Sequence, residues 1–148
     1  HAFTASFNLF RMSSQLIAEL ESLVHRPLGQ SIAGFRIMFT IWTLGDLQPR
    51  QLAQLAGVSR AAISGVLNTL ERDGFVARSR QHDDGRLVTV SLTESGLQRV
   101  QDAYVAQNRC ERELFAALSA EELDLLSTFI RRLLAGPSGP SVGGAETD

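Results

Sequence analysis

The stretch Gln51-Leu52-Ala53-Gln54-Leu55-Ala56-Gly57-Val58-Ser59-Arg60-Ala61-Ala62-Ile63-Ser64 decides how this chain folds. It reads as two short helices joined at Gly57. Pro49 is well placed to open the first, about Arg50 to Ala56, because a first-turn residue has no use for its N–H. Gln48 would be its N-cap, a weak residue type there, whereas Ser59 is a strong N-cap for the second helix. From Ser59 onward Ile63, Val66, Leu67 and Leu70 recur at helical spacing and make an inward face. Arg60, Ala61, Ser64, Gly65, Asn68 and Thr69 are left facing outward. Gly74, following Asp73, closes the helix.

Downstream the period changes to two. Phe75 to Ser79 and Leu87 to Leu92 read as strands, and the polar segment between them ends in the turn dipeptide Asp84-Gly85 before Arg86. That predicts a β-hairpin with a charged tip. Thr93 caps a long helix, roughly Glu94 to Leu118, with a neighbouring stripe of small residues at Ala103, Ala106, Cys110 and Ala117. Ser119-Ala120-Glu121-Glu122 is a capping box that starts a last helix, striped by Leu123, Leu126, Ile130, Leu133 and Leu134. The remainder, rich in Gly, Pro and Ser, reads as a flexible tail.

Upstream, Ala2 to His25 reads as a helix with two apolar stripes, Leu9, Met12, Leu16, Leu20 and Leu23 beside Phe3, Phe7 and Phe10. That is more apolar surface than a surface helix needs. His25 is expected to cap its C-terminal end. Pro27-Leu28-Gly29 breaks the helix, and Ser31 caps the next one, which runs to Leu44. Phe35, Met38, Phe39 and Trp42 form one apolar side of it, and Ile37, Ile41 and Leu44 another. A helix apolar on two sides is expected to lie between two packing layers.

Composition narrows the function classes. The chain has 148 residues, of which 44% are hydrophobic and 20% charged, which excludes wholesale disorder. Its longest strongly apolar run, Ile37 to Leu44, is too short to span a bilayer, and no signal peptide is expected. One cysteine, Cys110, cannot form an internal disulfide and suits a reducing cytoplasm. The three His and one Cys lack metal-ligand spacing, and no Gly-rich phosphate loop or nucleophile elbow is present, so no metal, cofactor or catalytic residue is expected. The net charge is −2, but residues 50–86 carry six Arg against four acids. The acid excess falls in residues 87–148, with five Arg against nine acids.

The element order, two short helices, a charged hairpin and flanking long helices, is the winged helix-turn-helix pattern. In it the second short helix enters the DNA major groove and the wing reaches the backbone or minor groove. The quoted stretch resembles the helix-turn-helix of bacterial regulators, with Ala53 where the helices touch and Gly57 at the tight turn. Leu70-Glu71-Arg72-Asp73-Gly74-Phe75-Val76, Asp83-Asp84-Gly85-Arg86 and Val90-Ser91-Leu92-Thr93 resemble corresponding segments of the MarR family. The resemblance covers roughly residues 5 to 134. It implies a homodimer with two winged lobes on a pseudopalindromic operator and, in many members, release of DNA on binding a small aromatic or phenolic ligand. Gly85 stands where the family often has a first wing Arg. Ala61-Ala62 and Gly65 replace longer polar residues of the recognition helix, which favours phosphate, methyl and shape contacts over base readout.

The expected fold is mainly α with a small β-hairpin wing. Residues 31–93 form the winged helix-turn-helix lobe, 1–30 with 94–135 the helical dimerisation layer, and 136–148 the tail. The expected DNA contacts are Ser59, Arg60, Ala61, Ser64 and Asn68 on the recognition helix, with Arg78, Arg80 and Arg86 on the wing. Part of the set Phe35, Met38, Phe39 and Trp42 is expected to line a ligand pocket, the other reading being that all four fill the core. The expected partners are double-stranded DNA, a second copy of the chain and a small aromatic or phenolic effector, with no membrane. Two alternatives stay open on the sequence: a winged-helix module that binds another protein, and a thiol redox regulator using Cys110.

Overall fold

The computed structural model of the chain describes residues 1–80 and 88–136. It divides into two compact units, His1–Arg112 and Glu113–Asp148. The first unit contains α1 (Ala2–Leu20), a π-helical turn (Glu21–His25), α2 (Ile32–Leu44), α3 (Pro49–Leu55), α4 (Arg60–Arg72), β1 (Val76–Arg80), β2 (Val88–Leu92) and most of α5 (Glu94–Leu114). The second contains the end of α5 and α6 (Ala120–Leu134). Among the described residues no helix is long and apolar enough to cross a membrane.

The core of the first unit is built around α2. Ile37 and Met38 are fully buried, and Phe35 and Ile41 nearly so, against Leu52 of α3, Leu67 and Leu70 of α4, and Val100 and Ala103 of α5. The two-sided apolar pattern of α2 is therefore used on most of its length. Its last apolar residue, Leu44, is exposed, because the helix ends at Gly45 with φ +85° and leaves the core there.

β1 and β2 pair antiparallel in the register Val76↔Leu92 to Arg80↔Val88. Leu47 joins the ladder by exchanging both backbone bonds with Val90, at 3.2 and 2.8 Å, which fastens the chain entering α3 to the wing. β1 starts one residue later than the alternation predicts. Phe75 instead closes the end of α4: its N–H donates to the Leu70 carbonyl at 2.8 Å, and Gly74 takes φ +77°. This six-to-one bond satisfies a carbonyl that the helix end would otherwise leave bare.

The seam between the wing and α5 is tight. The Thr93 and Ser95 hydroxyls both donate to the Gly74 carbonyl, at 2.6 and 2.8 Å. Gly96 lies so close to the Phe75 carbonyl that a Cβ would overlap it. Arg99 places its guanidinium 4.9 Å above the Phe75 ring and donates to the Leu28 carbonyl.

Two ends differ from the sequence expectation. α5 stops at Leu114, short of Leu118. Residues 115–118 are in turns, in which Ala116 N–H donates to Glu113 and Leu118 N–H to Phe115, each three residues back, and Ser119 is extended (ψ 168°) where it accepts from the Glu122 N–H at the start of α6. His25 is not a helix cap. Its ring is fully buried and bonds to the side chains of Gln107 and Gln30. The π-helical turn accounts for this placement, since Arg26 N–H donates to the Glu21 carbonyl five residues back and the widened turn directs Val24 and His25 together inward.

Apolar surface is left over on the terminal helices. On α1 only Leu20 is buried, while Phe3, Phe7, Leu9, Phe10 and Ile17 are exposed. α6 has no buried side chain, and Leu125, Phe129, Leu133 and Leu134 are exposed.

Candidate nucleic-acid interface

The helix pair α3–α4 is fixed at three points. Gln48, a weak cap by residue type, is helped by Gln51, whose Oε1 accepts from the Gln48 N–H at 3.0 Å. Gly57 takes φ +62° at the turn, and the Arg36 guanidinium lies where its Cβ would be. Ser59 accepts from the Ala62 N–H at 3.2 Å and starts α4.

α4 then separates its two faces. Ile63, Leu67 and Leu70 are buried, while Ser59, Arg60, Ala61, Ser64, Gly65, Asn68 and Thr69 are exposed. The free N–H groups of its first turn carry a partial positive charge. Arg60 borders a shallow hollow floored by Ala53 and Ile63, and the other rim of that hollow is Arg50 of α3. Arg50 is absent from the set expected on sequence grounds. Its position immediately after Pro49, at the exposed start of α3, is the signal that could have found it.

Of the wing residues, Arg80 is exposed on β1. Arg86, with Asp83, Asp84 and Gly85, lies outside the described residues. Arg78 faces α4: its Nη1 donates to Glu71 Oε2 at 3.1 Å and its Nη2 to Asn68 Oδ1 at 2.8 Å. Two of the expected DNA contacts are thus bonded to each other.

On α2, a cavity of about 320 Å³ opens between Phe35, Arg36 and Phe39, the end of α3 at Leu55 and Ala56, and α5 at Tyr104, Gln107 and Glu111. Phe39 is ringed by aromatic neighbours, Phe35 at 5.7 Å, Trp42 at 5.9 Å and Tyr104, stacked on it, at 5.8 Å. Phe35 and Phe39 line this cavity. Met38 is fully buried in the core, and Trp42 packs edge-on against Phe39 and Tyr104 without lining the cavity.

The wall of the cavity on α5 belongs to a chain of hydrogen bonds. Gln30 Nε2 approaches His25 Nδ1 at 3.2 Å, and His25 Nε2 approaches Gln107 Oε1 at 2.9 Å. Gln107 Nε2 donates to Glu111 Oε1 at 2.7 Å. An amide nitrogen only donates and an amide oxygen only accepts, so the neutral imidazole carries its proton on Nε2. Burial pushes the His25 pKa below its ordinary 6.5, against weaker opposing effects of the Gln107 bond and the Glu21 and Glu111 carboxylates.

Comparison with known proteins agrees with this geometry. A sequence model of the MarR family matches residues 31–88. An uncharacterised HTH-type transcriptional regulator of Bacillus subtilis, YwaE, is 33% identical over 132 residues, covering 89% of this chain and 77% of that protein. BpsR of Bordetella bronchiseptica, whose DNA binding is regulated by 6-hydroxynicotinic acid, has the same fold, with TM-score 0.81 at 18% identity over 88% of this chain and 98% of BpsR. So does a mutant MarR from Escherichia coli complexed with operator DNA, with TM-score 0.78 at 22% identity over 87% of this chain and 92% of that one. The helix-turn-helix with its paired wing strands, the matched central segment and the relative aligned along most of both chains together place this chain in the MarR family of transcriptional regulators.

Proposed function

We propose that this chain is a cytoplasmic, homodimeric repressor that binds a pseudopalindromic operator and releases it when a small aromatic ligand binds. The observation that carries the reading is the division of α4 into a buried apolar face and an exposed face. The exposed face bears Ser59, Arg60, Ala61, Ser64 and Asn68. In the major groove this helix would offer Arg60 and its own N-terminus to phosphate or base, with Arg50 on the adjoining backbone. Arg80 and Arg86 would extend the contact along the wing.

The unburied apolar faces of α1 and α6 support pairing with a second copy. On this reading residues 1–30 and 94–135 form the dimerisation layer and 31–93 the DNA-binding lobe. The cavity walled by Phe35, Phe39 and Tyr104 supports a flat apolar ligand. It touches Leu55 and Ala56 at the helix-turn-helix, so a ligand there could bias the position of α4. DNA affinity would fall by the ligand's preference for the misplaced state. Met38 and Trp42 would act from behind, as packing for the lining residues.

Titration of a random-sequence duplex by fluorescence anisotropy at two salt concentrations tests the reading. Phosphate binding must weaken steeply as salt rises. Absent or salt-insensitive binding would favour a winged-helix module for a protein partner.

A further inference from the structure

We propose that Arg78 of β1 is a specificity-positioning residue that makes Asn68 face the DNA as a hydrogen-bond donor, so that the protein selects guanine over adenine at one base pair of each half-site. This rests on the reading of α4 as the recognition helix.

The guanidinium fork of Arg78 reaches two side chains of α4. Its Nη1 donates to Glu71 Oε2 at 3.1 Å and its Nη2 to Asn68 Oδ1 at 2.8 Å. Glu71 and Asn68 are three residues apart on α4 and so lie on one side of the helix. One planar group thereby clips the wing strand to the recognition helix at two points. An arginine has donors only, so the atom of the Asn68 amide that faces it must be the oxygen. Asn68 is exposed, and with its oxygen turned to Arg78 it presents its Nδ2 amide N–H donors outward.

An asparagine that reads adenine uses both ends of its amide, accepting from N6 and donating to N7. Here a guanidinium N–H already occupies the oxygen and holds it toward β1, so Asn68 cannot present both ends of its amide to adenine. Guanine offers N7 and O6, both acceptors, to a donor group. Glu71 offsets the charge of Arg78, so the pair adds little net attraction for phosphate. Arg78 is thus assigned to orientation instead of to the direct DNA contact expected from its place on the wing.

Selection from a library of randomised duplexes tests this with wild type, Arg78→Ala and Asn68→Ala. Wild type is expected to favour guanine over adenine by about tenfold at one pair in each half-site, within the range of a well-made base contact. Asn68→Ala should flatten that pair. Arg78→Ala should reduce the preference to about threefold or less, or turn it toward adenine, with enrichment elsewhere in the motif unchanged. That unchanged enrichment also shows that the variant is folded. If Arg78→Ala does not fold, Arg78→Met, which keeps the apolar stem, carries the same expectation. Uniform weakening across all sequences would make Arg78 a phosphate contact and overturn the proposal, as would adenine at the Asn68 pair in wild type. A wild-type protein that enriches no sequence would strike the recognition-helix reading itself and take this proposal with it.

Discussion

Two buried positions set limits on what the first unit tolerates. Gly96 sits in the first turn of α5 against the Phe75 carbonyl, where a Cβ has no room and the obstacle is backbone. Gly96→Ala should therefore cost on the order of 3 kcal/mol, through displacement of the seam between the wing and α5. Urea denaturation checks this, and a variant with wild-type midpoint would show that the seam gives freely. His25 makes a second test. Its folded-state pKa lies below its ordinary value because burial disfavours the imidazolium. In the window between the two values the unfolded chain binds more protons than the folded one, so stability is intact above the ordinary value and falls as pH drops through it. His25→Gln removes the titrating group and keeps a neutral amide. Between about pH 7.5 and about pH 5.5, wild type should lose more melting temperature than the variant, although the variant starts lower. Equal losses would show that His25 is not what titrates.

At the scale of elements, α3 and α4 together make the basic rim. Arg50 and Arg60 border one hollow from two helices, so both should touch phosphate when α4 lies in the groove. Arg50→Ala and Arg60→Ala should each lower the salt slope of DNA binding by about one unit, with little change in stability. An unchanged slope for Arg50→Ala would remove α3 from the interface. These elements were legible in the sequence because their signals are local. Pro49, Ser59 and Gly74 mark helix ends through single-residue chemistry, and the buried set Ile63, Leu67 and Leu70 follows from helical spacing. What was not legible depended on tertiary contact. Nothing local makes His25 a core residue; its partners Gln30 and Gln107 arrive from a loop and from α5. Likewise, the spacing that grouped Phe35, Met38, Phe39 and Trp42 on one side of α2 does not say that α5 supplies the opposing cavity wall. Nor does it say that Met38 turns to the core. The pairing of Arg78 with Asn68 spans a strand and a helix, and the sequence marked each as a separate DNA contact with nothing local to join them.

The whole molecule combines a basic centre with apolar terminal helices and a net charge of −2. A net acidic chain binds DNA best where its cations are gathered, which favours the proposed interface on α3, α4 and the wing strands. The exposed apolar faces of α1 and α6 call for a second copy, and a two-fold dimer carries two copies of α4 related by its axis. The operator must then repeat in inverted order, with half-site centres one helical turn apart, about 10 base pairs, or a multiple of it. Dimerisation and DNA recognition are therefore coupled, and hydroxyl-radical footprinting on a duplex selected from a random library reads both at once. Two equivalent protected half-sites, symmetric about a central dyad, are expected, and they should fade together as salt is raised. A single asymmetric half-site, occupied by one protomer, would contradict this coupling.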